Sequence, residues 1–138
     1  MRAVFVAATI AFSAALASCQ TASGSGDLAQ SVEGRQWSAV SIGNEDVADG
    51  TTVTLKIESG RVGGRAGCNG YGGPVEIHGD NVKFGAIFST RMACLGSGVM
   101  EQEQHYLNLL QATTRGEIRA NGDLVLHASA GTLVYRGE

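Results

Sequence analysis

Basic clusters are missing from this 138-residue sequence. Its 10 Lys and Arg residues are scattered against 13 Asp and Glu, a formal net charge of −3. That mild acidity argues against nucleic acid or an anionic lipid surface as an electrostatic partner. No apolar run reaches the roughly 20 residues that a helix needs to cross a hydrocarbon core. The longest, Ala3 to Ala17, falls short and is rich in alanine. The three histidines, His78, His105 and His127, never fall at metal-ligand spacing such as i, i+4 on a helix. The cysteines include no second pair and no nearby histidine that would make a zinc site. No metal or other cofactor is expected. Proline is nearly absent, with Pro74 alone against 20 glycines. Glycine therefore does the punctuation, which suits tight turns between short strands.

What is present begins at the N-terminus. Arg2, the run Ala3–Ala17 and then Leu16-Ala17-Ser18-Cys19 resemble the lipobox of a bacterial lipoprotein signal peptide. The resemblance implies that residues 1–18 are removed and that Cys19 becomes a diacylglycerol-bearing N-terminus. Stable attachment then takes several acyl chains, since one anchors only marginally. Gln20, rather than aspartate, follows the cysteine and is similar to the outer-membrane sorting pattern of Gram-negative lipoproteins. The expected location is the cell envelope, at the outer membrane and facing the periplasm. An ordinary secretory signal, with Cys19 incidental, is the alternative. Residues 19–31 are small and polar and read as a flexible tether. Residues 32–138 read as one domain, expected to be monomeric. The 120 residues left after cleavage suffice to bury roughly two-thirds of their unfolded surface without metal or a dense disulfide framework.

Three cysteines is an odd count, which ordinarily signals a free thiol. Assigning Cys19 to lipid leaves Cys68 and Cys94 as a pair in an oxidising compartment, read as one disulfide. Closing that loop would stabilise the fold by roughly 3–4 kcal/mol in the chain-entropy model. Two buried free thiols are the alternative.

Along the domain, Gln36–Ile42 is a strand, and Thr52–Ile57 alternates Val53, Leu55 and Ile57 against polar neighbours. Ser59-Gly60 reads as a two-residue hairpin turn into 61–66, and Gly67–Gly73 as a glycine-rich bend. Strands are expected over 75–78 and 82–88. The period then changes: Ser97 is an N-cap candidate, and Met100, Tyr106, Leu107, Leu109 and Leu110 predict a helix over about 98–112. Strands over 117–120 and 124–127 flank Asn121-Gly122, a strong hairpin signal with positive φ expected at both residues. Leu133-Val134-Tyr135 forms a last strand. The expected fold is α+β: a strongly curved, mostly antiparallel sheet or partly open barrel of about eight short strands packed with one helix.

Two stretches carry a family resemblance. Arg61-Val62-Gly63-Gly64-Arg65-Ala66-Gly67-Cys68-Asn69-Gly70-Tyr71-Gly72-Gly73 resembles the Gly-Cys-Asn block of the META domain, the group that includes the heat-shock protein HslJ. Thr90-Arg91-Met92-Ala93-Cys94 resembles that family's second signature. Gly34-x-x-Trp37, Met100-Glu101-Gln102-Glu103 and Leu124-x-Leu126 agree in order, so the resemblance covers about residues 32–136. It departs at Gly70, Gly72 and Leu95, where arginine, serine and proline are often found. The resemblance implies a small sheet-rich α+β domain, often exported or lipid-anchored, with the two motif cysteines disulfide-linked. Its links to heat shock, antibiotic tolerance, motility and virulence are physiological associations, and it implies no established chemistry.

The chemistry-bearing residues give no catalytic set. Cysteine catalysis at Gly67-Cys68-Asn69 would need a base and a free thiol, and a cystine removes the thiol. Gly96-Ser97-Gly98 lacks the spacing of a hydrolase elbow, and the glycine pairs lack the helix and lysine of a phosphate loop. Asn69, Tyr71, Arg91 and Glu103 are candidates for a structural or binding clamp, with Arg91 expected to pair with Glu103 or to satisfy backbone carbonyls. Two functions remain: a non-catalytic envelope lipoprotein that binds a protein partner, or a small-ligand or lipid-binding barrel. A filled core with an exposed apolar patch would favour the first, and an apolar cavity at the barrel mouth the second.

Overall fold

The computed structural model describes residues 27–138; the lipobox, Cys19 and most of the expected tether lie outside the described residues. The chain runs α1 (Leu28–Val32), β1 (Gln36–Ile42), β2 (Glu45–Asp46), β3 (Thr52–Glu58), β4 (Arg61–Gly67), β5 (Gly70–His78), β6 (Asn81–Phe84) and β7 (Phe88–Ser89). It continues through α2 (Val99–Gln111), β8 (Thr113–Ile118), β9 (Leu124–Ala128) and β10 (Gly131–Gly137). Neighbouring strands pair antiparallel in the order β1-β3-β4-β5-β6-β8-β9-β10, and β10 pairs back onto β1 through Trp37↔Gly137 to Ile42↔Leu133. Eight strands thus close into a barrel, a step further than the partly open sheet expected. Closure leaves those strands no edge of full length to template aggregation. β2 and β7 are short additions on β1 and β5.

The turns explain how strands this short meet in register. Glu58↔Arg61 pairs across Ser59 (φ 51°) and Gly60 (φ 73°), the two positive φ angles that a twist-matched two-residue turn requires. The Asn121-Gly122 expectation needs correction. Only Gly122 is at positive φ (89°), its N–H donates to Arg119 C=O (2.9 Å), and Arg119 N–H donates to Asp123 C=O (2.8 Å). The loop is therefore one residue longer, with glycine at the bulge position, and Asn121 Oδ1 instead accepts from Asp123 N–H (3.1 Å). Three other boundaries also differ. The glycine-rich stretch is mostly strand, because β4 runs through Gly67, β5 begins at Gly70 and only Cys68-Asn69 turns the chain. The strand expected over 82–88 breaks at Gly85. Helix α2 is preceded by Gly98 at φ 80°, and no side chain caps it, so Ser97 does not serve as N-cap.

Inward-facing side chains fill the barrel with Trp37, Leu55, Leu110, Leu124 and Tyr135, all fully buried. Each end has a stopper. α2 closes one end, where Gln102 Oε1 accepts from Ala48 N–H (2.6 Å) and its Nε2 donates to Thr51 Oγ1 (3.0 Å). α1 closes the other, and this corrects the extent of the tether expected over 19–31. Asp27 caps α1 through Ala29 N–H (3.2 Å), and Leu28 and Val32, one helical turn apart, are both buried. Leu28 lies against Gly116 of β8, where an added Cβ would meet its Cδ2 at 2.9 Å. Glycine there makes room for the stopper.

One seam is thin. β6 and β8 share a single ladder pair, Asn81↔Arg115, besides the bond from Gly116 N–H to Asp80 C=O (2.8 Å). Beyond it the chain leaves β6, and Gln111 at the end of α2 spans the opening. Its Nε2 donates to the carbonyls of Phe84 (3.1 Å) and Gly85 (2.8 Å), while its Oε1 accepts from Ile87 N–H (3.1 Å). The segment 85–98 thereby runs beside α2, with β7 paired onto β5 and residues 87–93 facing the helix across a groove.

Candidate functional site

The two sequence signatures meet at a polar knot beside α2. Cys68, in the β4–β5 turn, is disulfide-bonded to Cys94 on the 85–98 segment, with Cα atoms 5.9 Å apart. Asn69, 1% exposed, joins three pieces of chain. Its Oδ1 accepts from Met92 N–H (2.7 Å) and Thr90 Oγ1 (3.0 Å), and its Nδ2 donates to Glu103 Oε1 on α2 (2.7 Å). Glu103 is buried, and its Oε2 accepts from the N–H groups of Asn69 (2.8 Å) and Cys68 (3.2 Å). A buried carboxyl is tolerable only when its lone pairs are taken, and here both oxygens are. Arg91 is not part of this knot. Its side chain is exposed and pairs with no acid among the described residues; Asn69 and two backbone N–H groups take the acceptor capacity of Glu103 that Arg91 was expected to use.

Tyr71, the fourth candidate, points the other way, into the barrel. Its hydroxyl donates to Thr54 C=O (2.8 Å) and shares a hydrogen bond with Tyr106 (2.7 Å), which accepts from Tyr135 (3.0 Å). The rings pack edge to face, with centroids 5.6 and 6.5 Å apart. Burial, and then the neighbouring tyrosines, push all three phenols well above their ordinary range. Tyr71 reaches Thr54 because it sits opposite Gly64, where a Cβ would come within 2.1 Å of that carbonyl. Thr54 makes good the disturbed ladder by accepting from Arg65 N–H through its Oγ1 (3.1 Å). Tyr106 and Tyr135 were legible in the sequence only as apolar bulk. The signal was tyrosine rather than phenylalanine at positions destined for the core.

Outside the knot, an open groove of about 600 Å³ runs between α2 and residues 87–93. Ile87, Met92, Met100 and Leu107 give it apolar walls, and Gln104, Asn108 and Gln111 line it with amides. The large apolar side chains most exposed to water gather on the same stretch of chain: Leu95 is 97% exposed, Phe88 62% and Met92 58%, with Met100 nearby on α2. The histidines lie elsewhere. His78 and His105 are exposed, and on the β8–β9 surface His127 Nε2 donates to Glu117 Oε1 (3.0 Å), with the Arg115 guanidinium 3.3 Å from the same nitrogen. The His127 hydrogen bond, with Arg115 adding to it, holds the Glu117 carboxyl below its usual range. Among the described residues, no group of three or more His, Cys, Asp or Glu is placed to hold a metal ion.

Comparisons with known proteins agree with this geometry. Residues 30–138 match the META domain family. An NMR structure of a protein from Burkholderia xenovorans is similar, with 26% identity, a TM-score of 0.62, and 79% of this chain and 85% of that chain covered. A second NMR structure shares the fold at 18% identity and a TM-score of 0.65, covering 78% of this chain and 92% of that one. No curated protein sequence matches the chain.

Proposed function

This chain belongs to the META domain family, and we propose that it is a non-catalytic, lipid-anchored cell-envelope protein that binds a protein partner in envelope or stress homeostasis. The observation that carries the binding role is the exposure of Phe88, Met92 and Leu95 along one segment, with Met92 and the exposed Met100 lining the α2 groove. Large exposed apolar side chains grouped on one segment mark an interaction surface, whereas scattered ones carry no such meaning. The filled interior favours this reading over a ligand carried inside the barrel, because Trp37, Leu55, Tyr106 and Tyr135 occupy the space that such a ligand would need. Anchoring rests on Cys19 in the Leu-Ala-Ser-Cys sequence.

Two measurements test the reading. Labelling cells with a fatty acid should mark the protein and fail to mark Cys19→Ala; label that survives the substitution sinks the anchor. A photo-crosslinking residue at Leu95 should trap a protein in intact cells, whereas one at Glu76, on the remote part of β5, should not. Crosslinks to lipid alone at Leu95 would overturn the protein-binding role.

A further inference from the structure

The groove beside α2 has an unused strand edge along one wall. In the β7–β5 pairing, Thr90 N–H donates to Gly70 C=O (3.0 Å), and Phe88 lies opposite Gly72 two residues away. Antiparallel ladders alternate, so the intervening pair Ser89↔Tyr71 is the non-hydrogen-bonded one. The backbone N–H and C=O of Ser89 therefore point away from β5, toward α2. The neighbouring group on that side, Ile87 N–H, already takes a side-chain amide oxygen from Gln111 (3.1 Å) in place of a strand. Facing this edge, Gln104 and Asn108 present amides that are hydrogen-bonded to each other (3.0 Å). Arg91 and Glu103 are the two charged side chains of the lining. Glu103 is turned inward onto Asn69, which leaves the guanidinium to set the charge at the rim.

Resting on the binding role proposed above, we infer that this groove takes an extended peptide segment of a second protein. The segment adds as a strand to the free edge of β7, with apolar side chains at alternate positions and a carboxylate set against Arg91. The edge and the amides supply the alternating donors and acceptors that a peptide backbone needs. Met92 and Met100 supply flexible apolar contacts that adapt to different side chains. An acyl chain fits worse, because it would bury the Ser89 backbone without partners and leave Gln104 and Asn108 only the bond between them. A second copy of this chain fits worse too, since eight of its described strands are committed to a closed barrel.

The test is a displayed library of random peptides of about eight residues, enough to run the ~20 Å of α2. It is panned against the purified, oxidised mature protein, and enriched peptides are measured by calorimetry. They should share an acidic residue and alternating apolar positions, and Arg91→Glu should weaken them about tenfold. N-methylation of the peptide backbone leaves the protein untouched; it should abolish binding at the amide that pairs with Ser89 and be tolerated at the amides on either side of it. Tolerance at all amides, failure to enrich any peptide, or displacement of the peptides by palmitate would each overturn strand addition. Concentration-dependent dimerisation through the same groove, blocked by Arg91→Glu, would overturn it in favour of self-association. A protein crosslink at Leu95 combined with full N-methyl tolerance refutes the strand and leaves the binding role standing; lipid-only crosslinks there refute the binding role itself.

Discussion

Replacing Asn69 with alanine tests whether the polar knot holds the 85–98 segment to the barrel. The side chain lost is 1% exposed and fully engaged. Glu103 Oε1 loses its donor in a buried setting, which costs about 2 kcal/mol. Met92 N–H and the Thr90 hydroxyl lose their acceptor nearer to water, at about 1 kcal/mol each. The sum, about 4 kcal/mol, is a large part of the roughly 5–15 kcal/mol that a domain of this size commands. With a urea slope of about 1–3 kcal/mol/M, the midpoint should fall by about 2 M. Trp37, the single tryptophan and fully buried, reports the transition by fluorescence in the oxidised protein. A double-mutant cycle with Glu103→Ala should give a coupling of about 1–3 kcal/mol, because each residue is the other's partner. A loss below about 1 kcal/mol for Asn69→Ala, with no coupling to Glu103, would refute the reasoning: water would then be replacing the asparagine at little cost.

Three further outcomes follow from the same geometry. Reducing Cys68–Cys94, or replacing both with serine, should cost about 3–4 kcal/mol for a sequence separation of 26, read as a lower guanidinium midpoint with dithiothreitol than without; equal midpoints would show that the bridge adds nothing. Gly64→Ala should destabilise by about 2 kcal/mol or more, since its Cβ would meet the Thr54 carbonyl at 2.1 Å, and a melting temperature within a degree of the parent would contradict the close approach. Tyr71, Tyr106 and Tyr135 are neutral in the fold with raised pKa values, so their contribution to stability is complete below pH ~10 and is lost as pH rises from there toward the folded values. Phenolate absorbance should therefore rise together with unfolding; a titration near pH 10 in protein whose Trp37 signal is still native would count against the buried chain.

The parts of the fold that were legible in the sequence are those set by local rules. Thr52–Ile57 alternates, Ser59-Gly60 has the one turn geometry that suits it, and the 98–112 stripe forms α2 as its period requires. The family signatures also carried the META assignment. The misses share a different cause: a partner distant in sequence overrode the local preference. Gly70–Gly73 is strand rather than bend because β4 pairs along it and Phe88 packs where a Cβ on Gly72 would come within 2.9 Å. Leu28–Val32 is helix rather than tether because the barrel end needs an apolar stopper. Arg91 looked like the partner of Glu103 by charge, but the knot is built from an amide and backbone N–H groups, which no charge pattern announces. The groove itself is formed by two segments of chain that no local periodicity brings together.

The pairing of β10 with β1 has a consequence for the order of events as the chain folds. Trp37 finds Gly137 as its partner across nearly the whole described length of the protein. The barrel cannot close, and its interior cannot shed water, until the final strand is in hand. Contacts of such long sequence separation must be won against loop-closure entropy, which makes folding slow relative to helical proteins of equal size. During synthesis, the earlier strands can form hairpins but not a sealed core. The barrel therefore stays unsealed for as long as β10 is held back.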